Sequence, residues 1–212
     1  MKDVKSPSGS LRAERAALTR QRIAQAARSL FSNRGYTATT LVAIALDAGV
    51  AVQTVYAVYG SKANILRALL EALINDPPAD AAYLGALSAP EAADALSRFA
   101  HSIRLRWEAG HDIVLILGDA ASADPGIRAE MGGAVAARRS GIAELARSLA
   151  RYGAGLADEA RSAAVIDALT LPEMFGRLVG GHGWTADEYE AWLAVALGRL
   201  VPTTRTSEPE PD

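Results

Sequence analysis

Cysteine is absent from all 212 residues, which removes disulfides, thiolate metal sites and cysteine nucleophiles. Aromatic residues make up only 6% of a chain that is 50% hydrophobic, the balance of helices packed through Ala and Leu and not of a β-sandwich. Long apolar runs are also missing. No uninterrupted stretch approaches the roughly 20 residues of a membrane helix, and the opening MKDVKSPSGS lacks the apolar centre of a signal peptide. The sequence therefore reads as a soluble, cytoplasmic, all-α protein with no membrane partner. His101, His111 and His182 show no ligand spacing, so neither metal nor cofactor is expected. A nucleophile elbow, a phosphate loop, a Gly-rich dinucleotide turn and a metal-binding helix pair are all lacking, and the chain does not read as an enzyme.

What is present is an uneven distribution of charge. The formal net charge of −2 hides 10 Lys/Arg against 5 Asp/Glu in residues 1–78 and 12 against 19 in the remainder. The basic end is the one suited to phosphate.

Residues 1–10 read as a flexible basic arm and residues 202–212 as a disordered Pro/Thr/Glu tail. Pro77-Pro78 breaks the helical pattern, so the expected domains are 11–76 and 77–201. In the first, Leu18, Ile23, Ala26, Ala27, Leu30 and Phe31 recur at helical spacing over about 12–33, and Gly35 ends the run. Thr39 or Thr40 can cap a short helix carrying Leu41, Ile44, Ala45 and Ala48. Gly49 supplies a turn, a very short helix covers about 52–58, and Ser61 caps a helix through about Ile74.

Two short helices around a Gly-containing turn are the minimum for a helix-turn-helix. Beyond that minimum, Gly35 to Leu66 resembles the DNA-binding pattern of the TetR family: Gly35, Tyr36, Thr39, Thr40, Ile44, Ala45, Ala48, Gly49, Val50, Thr54, Tyr56, Ser61, Lys62 and Leu66 match it in order. The likeness covers about residues 15–75 and extends loosely to the segment from Asp167 to Leu197, similar to the last two helices of many members. Two residues depart from the pattern. Ala51 stands where Ser often caps the reading helix, which forgoes about 1 kcal/mol, and Tyr59 stands where Phe is usual.

The resemblance implies a homodimeric transcriptional regulator, a repressor that leaves double-stranded operator DNA when a small-molecule effector binds its C-terminal domain. The fold it implies is an N-terminal three-helix DNA-binding domain followed by a larger helical effector-binding and dimerisation domain, about nine helices in all. A helical small-molecule-binding protein without operator binding is the alternative. Expected DNA-contacting residues are Thr40, Ala51, Val52, Gln53, Thr54, Tyr56, Ala57 and Lys62. Three of them have a plainer reading: Thr40 as a cap only, Tyr56 as a half-buried core residue, Lys62 as a solvated charge. Lys62 lies in the first turn of a helix, where the dipole disfavours it and a phosphate would compensate. Among the outward positions of the short third helix only Gln53 can hydrogen-bond a base edge. Gln suits adenine and small apolar side chains suit thymine methyls, so A·T pairs are expected beneath Gln53 and Val52.

In the C-terminal part, Ser88-x-x-Glu91 and Thr185-x-x-Glu188 have the form of capping boxes, and Asp124 and Asp158 can open helices. Helices are expected near 89–109, 111–121, 125–151, 159–180, with a kink at Pro172, and 186–200. Val165, Ile166, Leu169, Phe175, Leu178, Trp192, Leu193 and Ala196 are the expected dimer residues, unless they complete the monomer's core. Phe99, His101, Ile103, Arg104, Trp107, Ile116, Asp119 and Met131 are candidate effector-pocket residues, although most of them are expected to be ordinary core or surface. The resemblance further implies that effector binding displaces the fourth helix and changes the separation of the two reading helices.

Overall fold

The structure is a computed structural model in which residues 7–152 and 159–201 are described. Every regular element among these residues is helical. Helix α1 (Pro7–Arg34), α2 (Leu41–Ala48), α3 (Val52–Tyr59) and α4 (Lys62–Ile74) are followed by α5 (Pro77–Leu87), α6 (Ala92–Ala123) and α7 (Pro125–Leu149). Then come α8 (Glu159–Leu169), a short α9 (Pro172–Phe175) that continues as a π-helical turn (Gly176–Gly181), and α10 (Ala186–Leu200). No single helix among the described residues is long and apolar enough to cross a membrane.

The chain divides into two compact units: one of residues 1–72 with 116–128, the other of 73–115 with 129–212. The last two turns of α6 and the start of α7 thus belong to the N-terminal unit, a membership that a single cut after residue 76 does not capture. In that unit Ile23, Ala27, Ile44, Val55, Ile65 and Leu66 are fully buried; they come from four helices and form one apolar centre.

Several helix boundaries differ from the sequence reading, each for a local reason. Helix α1 already begins at Pro7, so the basic arm expected over residues 1–10 is helical from Pro7 onward; residues 1–6 lie outside the described residues, as do the Asp158 helix start and the 202–212 tail. The helical pattern breaks here as expected, α4 ending at Ile74, but Pro77-Pro78 also opens a new helix, because Asp76 accepts the backbone N–H of Ala79 at 2.9 Å and prolines at the first helical positions sacrifice no hydrogen bond. The box expected from Ser88 to Glu91 is not formed: Ser88 closes α5, its hydroxyl donating to the Leu84 carbonyl at 3.0 Å. The box at Thr185 and Glu188 is present in both directions and starts α10.

Helix α8 stops at Leu169 and does not run through a kink at Pro172. Trp107 Nε1 donates to the Thr170 carbonyl at 3.0 Å, and Arg138 donates to Thr170 Oγ1 and to the Asp167 carbonyl, both at 2.8 Å. These bonds occupy the carbonyls at the break, and Pro172, without an N–H, starts afresh.

The two helices expected at 89–109 and 111–121 are both present as the two halves of α6, separated at Gly110, a non-helical residue with φ −174° and ψ 41°. A methyl group at this position would lie 2.8 Å from Ile113 Cδ1 and 3.1 Å from Leu73 Cδ1, and both side chains are buried. Replacing Gly110 with Ala is therefore expected to overpack this core and lower stability by about 1–3 kcal/mol, seen as a fall in Tm; an unchanged Tm would show that the site has room.

Candidate nucleic-acid interface

The centre of the interface is the chain between α1 and α3. Thr40 has extended backbone and its hydroxyl accepts the Ala43 N–H at 3.1 Å, which starts α2. Its neighbour Thr39 points inward, donating from a buried side chain to the carbonyls of Gly35 at 2.8 Å and Leu30 at 3.3 Å. The two threonines, interchangeable as caps by sequence, are thus a buried brace and an exposed cap. Gly49 closes α2 with φ 62°, the left-handed conformation that a side chain would resist. The bend between α2 and α3 is 108°, within the range of helix-turn-helix pairs.

Helix α3 is eight residues long and its first turn has no side-chain cap, since Ala51 has no oxygen to offer. It is held from below: Val55 and Tyr59 are buried, and the Tyr59 hydroxyl donates to the Arg20 carbonyl at 3.1 Å. Burial holds the Tyr59 phenol above its ordinary pKa despite the nearby Arg20 guanidinium. At its far end Asn64 Nδ2 donates to the Tyr59 carbonyl at 2.7 Å, while the Asn64 N–H is capped by Ser61 Oγ at 3.1 Å. The sequence reading includes Ser61 but not Asn64, whose bond runs back to the end of α3.

With the inner face of α3 so occupied, its other side is open. Gln53, Tyr56 and Ala57 are exposed, Tyr56 by 56%, Val52 and Thr54 are partly exposed, and Ala51 and Thr40 are exposed at the starts of their helices. The plainer reading of Tyr56 as a half-buried core residue does not describe this position.

Lys62 occupies a different place from the remaining candidates. Its ammonium donates to the carbonyls of Tyr36 at 2.7 Å, Thr39 at 3.1 Å and Thr37 at 3.2 Å, and sits 4.4 Å from the centre of the Tyr36 ring. Loss of water around it lowers its pKa from the ordinary lysine value. On the opposite edge of the same segment, the Asp119 carboxylate accepts the Tyr36 N–H at 3.0 Å. The segment from Gly35 to Thr40 is therefore gripped by a cation through its carbonyls and by an anion through its N–H. Neither grip is visible in the sequence, where Lys62 suggests phosphate and Asp119 an effector pocket.

Residues 23–69 match the family profile for bacterial regulatory proteins of the tetR family. The N-terminal helix-turn-helix is a TetR-family domain. No curated protein matches the sequence. Among solved structures, the fatty acid degradation regulator FadR from Bacillus halodurans is similar over 94% of this chain and 100% of its own, with a TM-score of 0.69 at 16% identity. A tetR-family regulatory protein from Rhodococcus RHA1 is similar over 88% and 98%, with a TM-score of 0.69 at 21% identity. SmeT in its triclosan complex is similar over 92% and 99%, with a TM-score of 0.65 at 20% identity. These likenesses show that the chain has the all-helical fold of TetR-family transcriptional regulators.

Of the effector candidates, Ile116 and Asp119 fall in the same unit as the TetR-family domain, and the others in the second unit. Phe99, Ile103 and Trp107 are buried, and Met131 is partly exposed. His101 Nδ1 lies 2.9 Å from Glu190, and Arg104 pairs with Asp187, Glu108 and Glu190. The second unit also holds two buried polar atoms without a hydrogen-bond partner that the sequence does not suggest: the hydroxyl of Tyr189, whose side chain is fully buried, and Arg138 Nε. The Tyr189 phenol is pushed above its ordinary pKa by burial, against the opposing charge of Arg138. Of the dimer candidates, Ile166, Phe175 and Leu193 are buried within the protomer and belong to its core, while Val165, Leu169, Leu178, Trp192 and Ala196 are partly exposed. Val195 and Leu200, beside them on α10, are 53% and 56% exposed.

The grip on the segment before α2 has a measurable consequence. Exchanging Lys62 for Met keeps the apolar stem but leaves three carbonyls without their shared donor, at an expected cost of about 1–3 kcal/mol. Tm should fall and amide exchange should quicken at residues 36–40. A variant with unchanged protection there would show that the ammonium does not hold the segment.

Proposed function

We propose that the protein is a homodimeric operator-binding repressor released by a small-molecule effector. The observation that carries this reading is the TetR-family helix-turn-helix itself: a 108° pair of helices whose reading helix is fastened on its inner side and leaves Gln53, Tyr56 and Ala57 open to a groove. In this reading Gln53 contacts a base edge, Val52, Ala51 and Ala57 approach thymine methyls, and Thr40, Thr54 and Tyr56 hydrogen-bond backbone phosphates. Lys62 contributes by fixing the loop that presents Thr40, and its remaining positive field favours the same phosphates.

Reading a two-fold operator requires two copies of α3 about one helical turn of DNA apart. The partly exposed apolar residues Val165, Leu169, Leu178, Trp192 and Ala196 supply the surface for pairing, and the ordinary course for such a surface is burial against a second copy.

The experiment is selection of bound duplexes from a random pool by the full chain and by Gln53→Ala. An enriched inverted repeat with A·T pairs in each half-site is expected, with the preference at one position relaxed in the variant by about 1–3 kcal/mol of discrimination. Enrichment of no sequence, with weak binding that ignores the substitution, would leave a helical small-molecule-binding protein.

Effector release follows from the second unit, where the Tyr189 hydroxyl and Arg138 Nε are donors that a ligand acceptor would satisfy. Bistable coupling is reciprocal. A compound that displaces the selected operator should bind more weakly in the operator's presence by the same factor, and Tyr189→Phe should weaken that compound while leaving Tm unchanged or raised. Equal affinity with and without operator would refute the coupling.

A further inference from the structure

Helix α1 is 28 residues long, yet its stretch from Leu11 to Arg22 has no protein core beneath it. From Leu11 to Arg22 no residue is buried, and the first that is buried is Ile23. The profile match also begins at residue 23, so this exposed length lies outside the shared family domain. It contains Arg12, Arg15, Arg20 and Arg22 against the single acid Glu14. A solvated helix of this size is marginal in isolation, and packing against a core does not account for Arg12 and Arg15.

The arginines are ordered in space. At 100° per residue, Arg12, Arg15, Thr19 and Arg22 fall within an arc of about 80° on one side of the helix. The base of that stripe is fixed: Arg22 donates to the Ala48 carbonyl at 2.5 Å, at the last residue of α2 where the turn into α3 begins. On another side of α1 the Arg20 guanidinium lies 5.2 Å from the centre of the Tyr59 ring, at the last residue of α3. The exposed helix thus leaves the domain beside the turn and beside the end of the reading helix. Arg15 and Arg12 lie roughly 10 Å and 15 Å farther along its axis than Arg22. The first turn of α1 has no acidic residue, so the positive end of the helix dipole reinforces the stripe.

We infer that the basic stripe of α1, through Arg12 and Arg15, makes a second and sequence-independent contact with the DNA backbone, on phosphates flanking the half-site that α3 reads. This rests on the operator-binding reading above. DNA is the occupant because a row of guanidinium groups beside a reading helix is complementary to a strand of phosphates. Leu11 and Leu18, 55% and 59% exposed at the edge of the stripe, are separated by charge and form no continuous apolar seam for another helix.

The test uses the full-length chain and the selected operator, in duplexes with and without flanking base pairs, titrated across salt concentration. Arg12→Ala with Arg15→Ala should keep Tm and base preference, since Ala favours the helix and neither side chain is packed. The slope of log affinity against log salt should become shallower by about 0.9 for each phosphate that the arginines no longer neutralise. The gain in affinity that flanking base pairs give the unmodified chain should vanish. Lys at both positions should restore the slope. The inference is overturned if the double-Ala variant binds operator with unchanged slope and affinity on long duplexes, or if its only change is in self-association. If the unmodified chain selects no operator at all, the failure belongs to the function proposed above and not to this helix.

Discussion

The ammonium of Lys62, set among the carbonyls of Tyr36, Thr37 and Thr39, is the constraint on which the reading surface depends. Within this segment only the turn bond from the Thr39 N–H to the Tyr36 carbonyl at 3.3 Å and the Thr39 hydroxyl on Gly35 are internal, and one cation with three donors answers the carbonyls of Tyr36, Thr37 and Thr39 at once. The same contact explains how a positive side chain is tolerated at the start of α4: its charge is turned away from that helix dipole and onto a neighbouring set of carbonyl dipoles. With the segment fixed, Thr40 is placed to cap α2, and α2 is placed to deliver the Gly49 turn. Asp119 completes the arrangement from the tail of α6, so the order of the N-terminal unit requires residues from the middle of the chain.

This dependence marks the limit of what the sequence could disclose. The helix-turn-helix was legible because its signals are local: Thr40, Gly49 and Ser61 act on backbone groups within a few residues of themselves. Lys62 and Asp119 act across 23 to 83 positions, and no periodicity reports a partner so distant. Pro77-Pro78 shows another kind of ambiguity. Proline marks the end of one helix and the start of the next by the same geometry, and the cap Asp76 in front of it is what signals the second of these. At Pro172 the difference from a simple kink has a distant cause: the carbonyls that let the chain break there are occupied by Trp107 and Arg138 from other helices.

The C-terminal unit was legible as helical but not as a site. Its apolar residues exceed what one layer requires, so any of them could face the core, a ligand or another subunit, and burial alone separates them. Ile166, Phe175 and Leu193 went to the core, while their neighbours on the same helices stayed partly open. Polar residues were harder still, since His101 and Arg104 meet carboxylates on α10, whereas Tyr189, by sequence only one more member of a helical segment, carries a buried hydroxyl without a protein partner.

The chemical sparseness of α3 has a consequence for how such a protein would diversify. In the proposed DNA-binding reading, a face composed of Ala51, Val52, Gln53 and Ala57 encodes few bits of base identity, because methyl groups distinguish little beyond thymine and one amide addresses one base pair. Discrimination on such a face shifts toward groove width and the ease with which a duplex bends. Related sites differing in sequence but alike in shape would then be served by one protein. A single exchange of Ala57 for a residue with a hydrogen-bonding tip, at an exposed position that the fold does not use, could narrow that set without disturbing the scaffold.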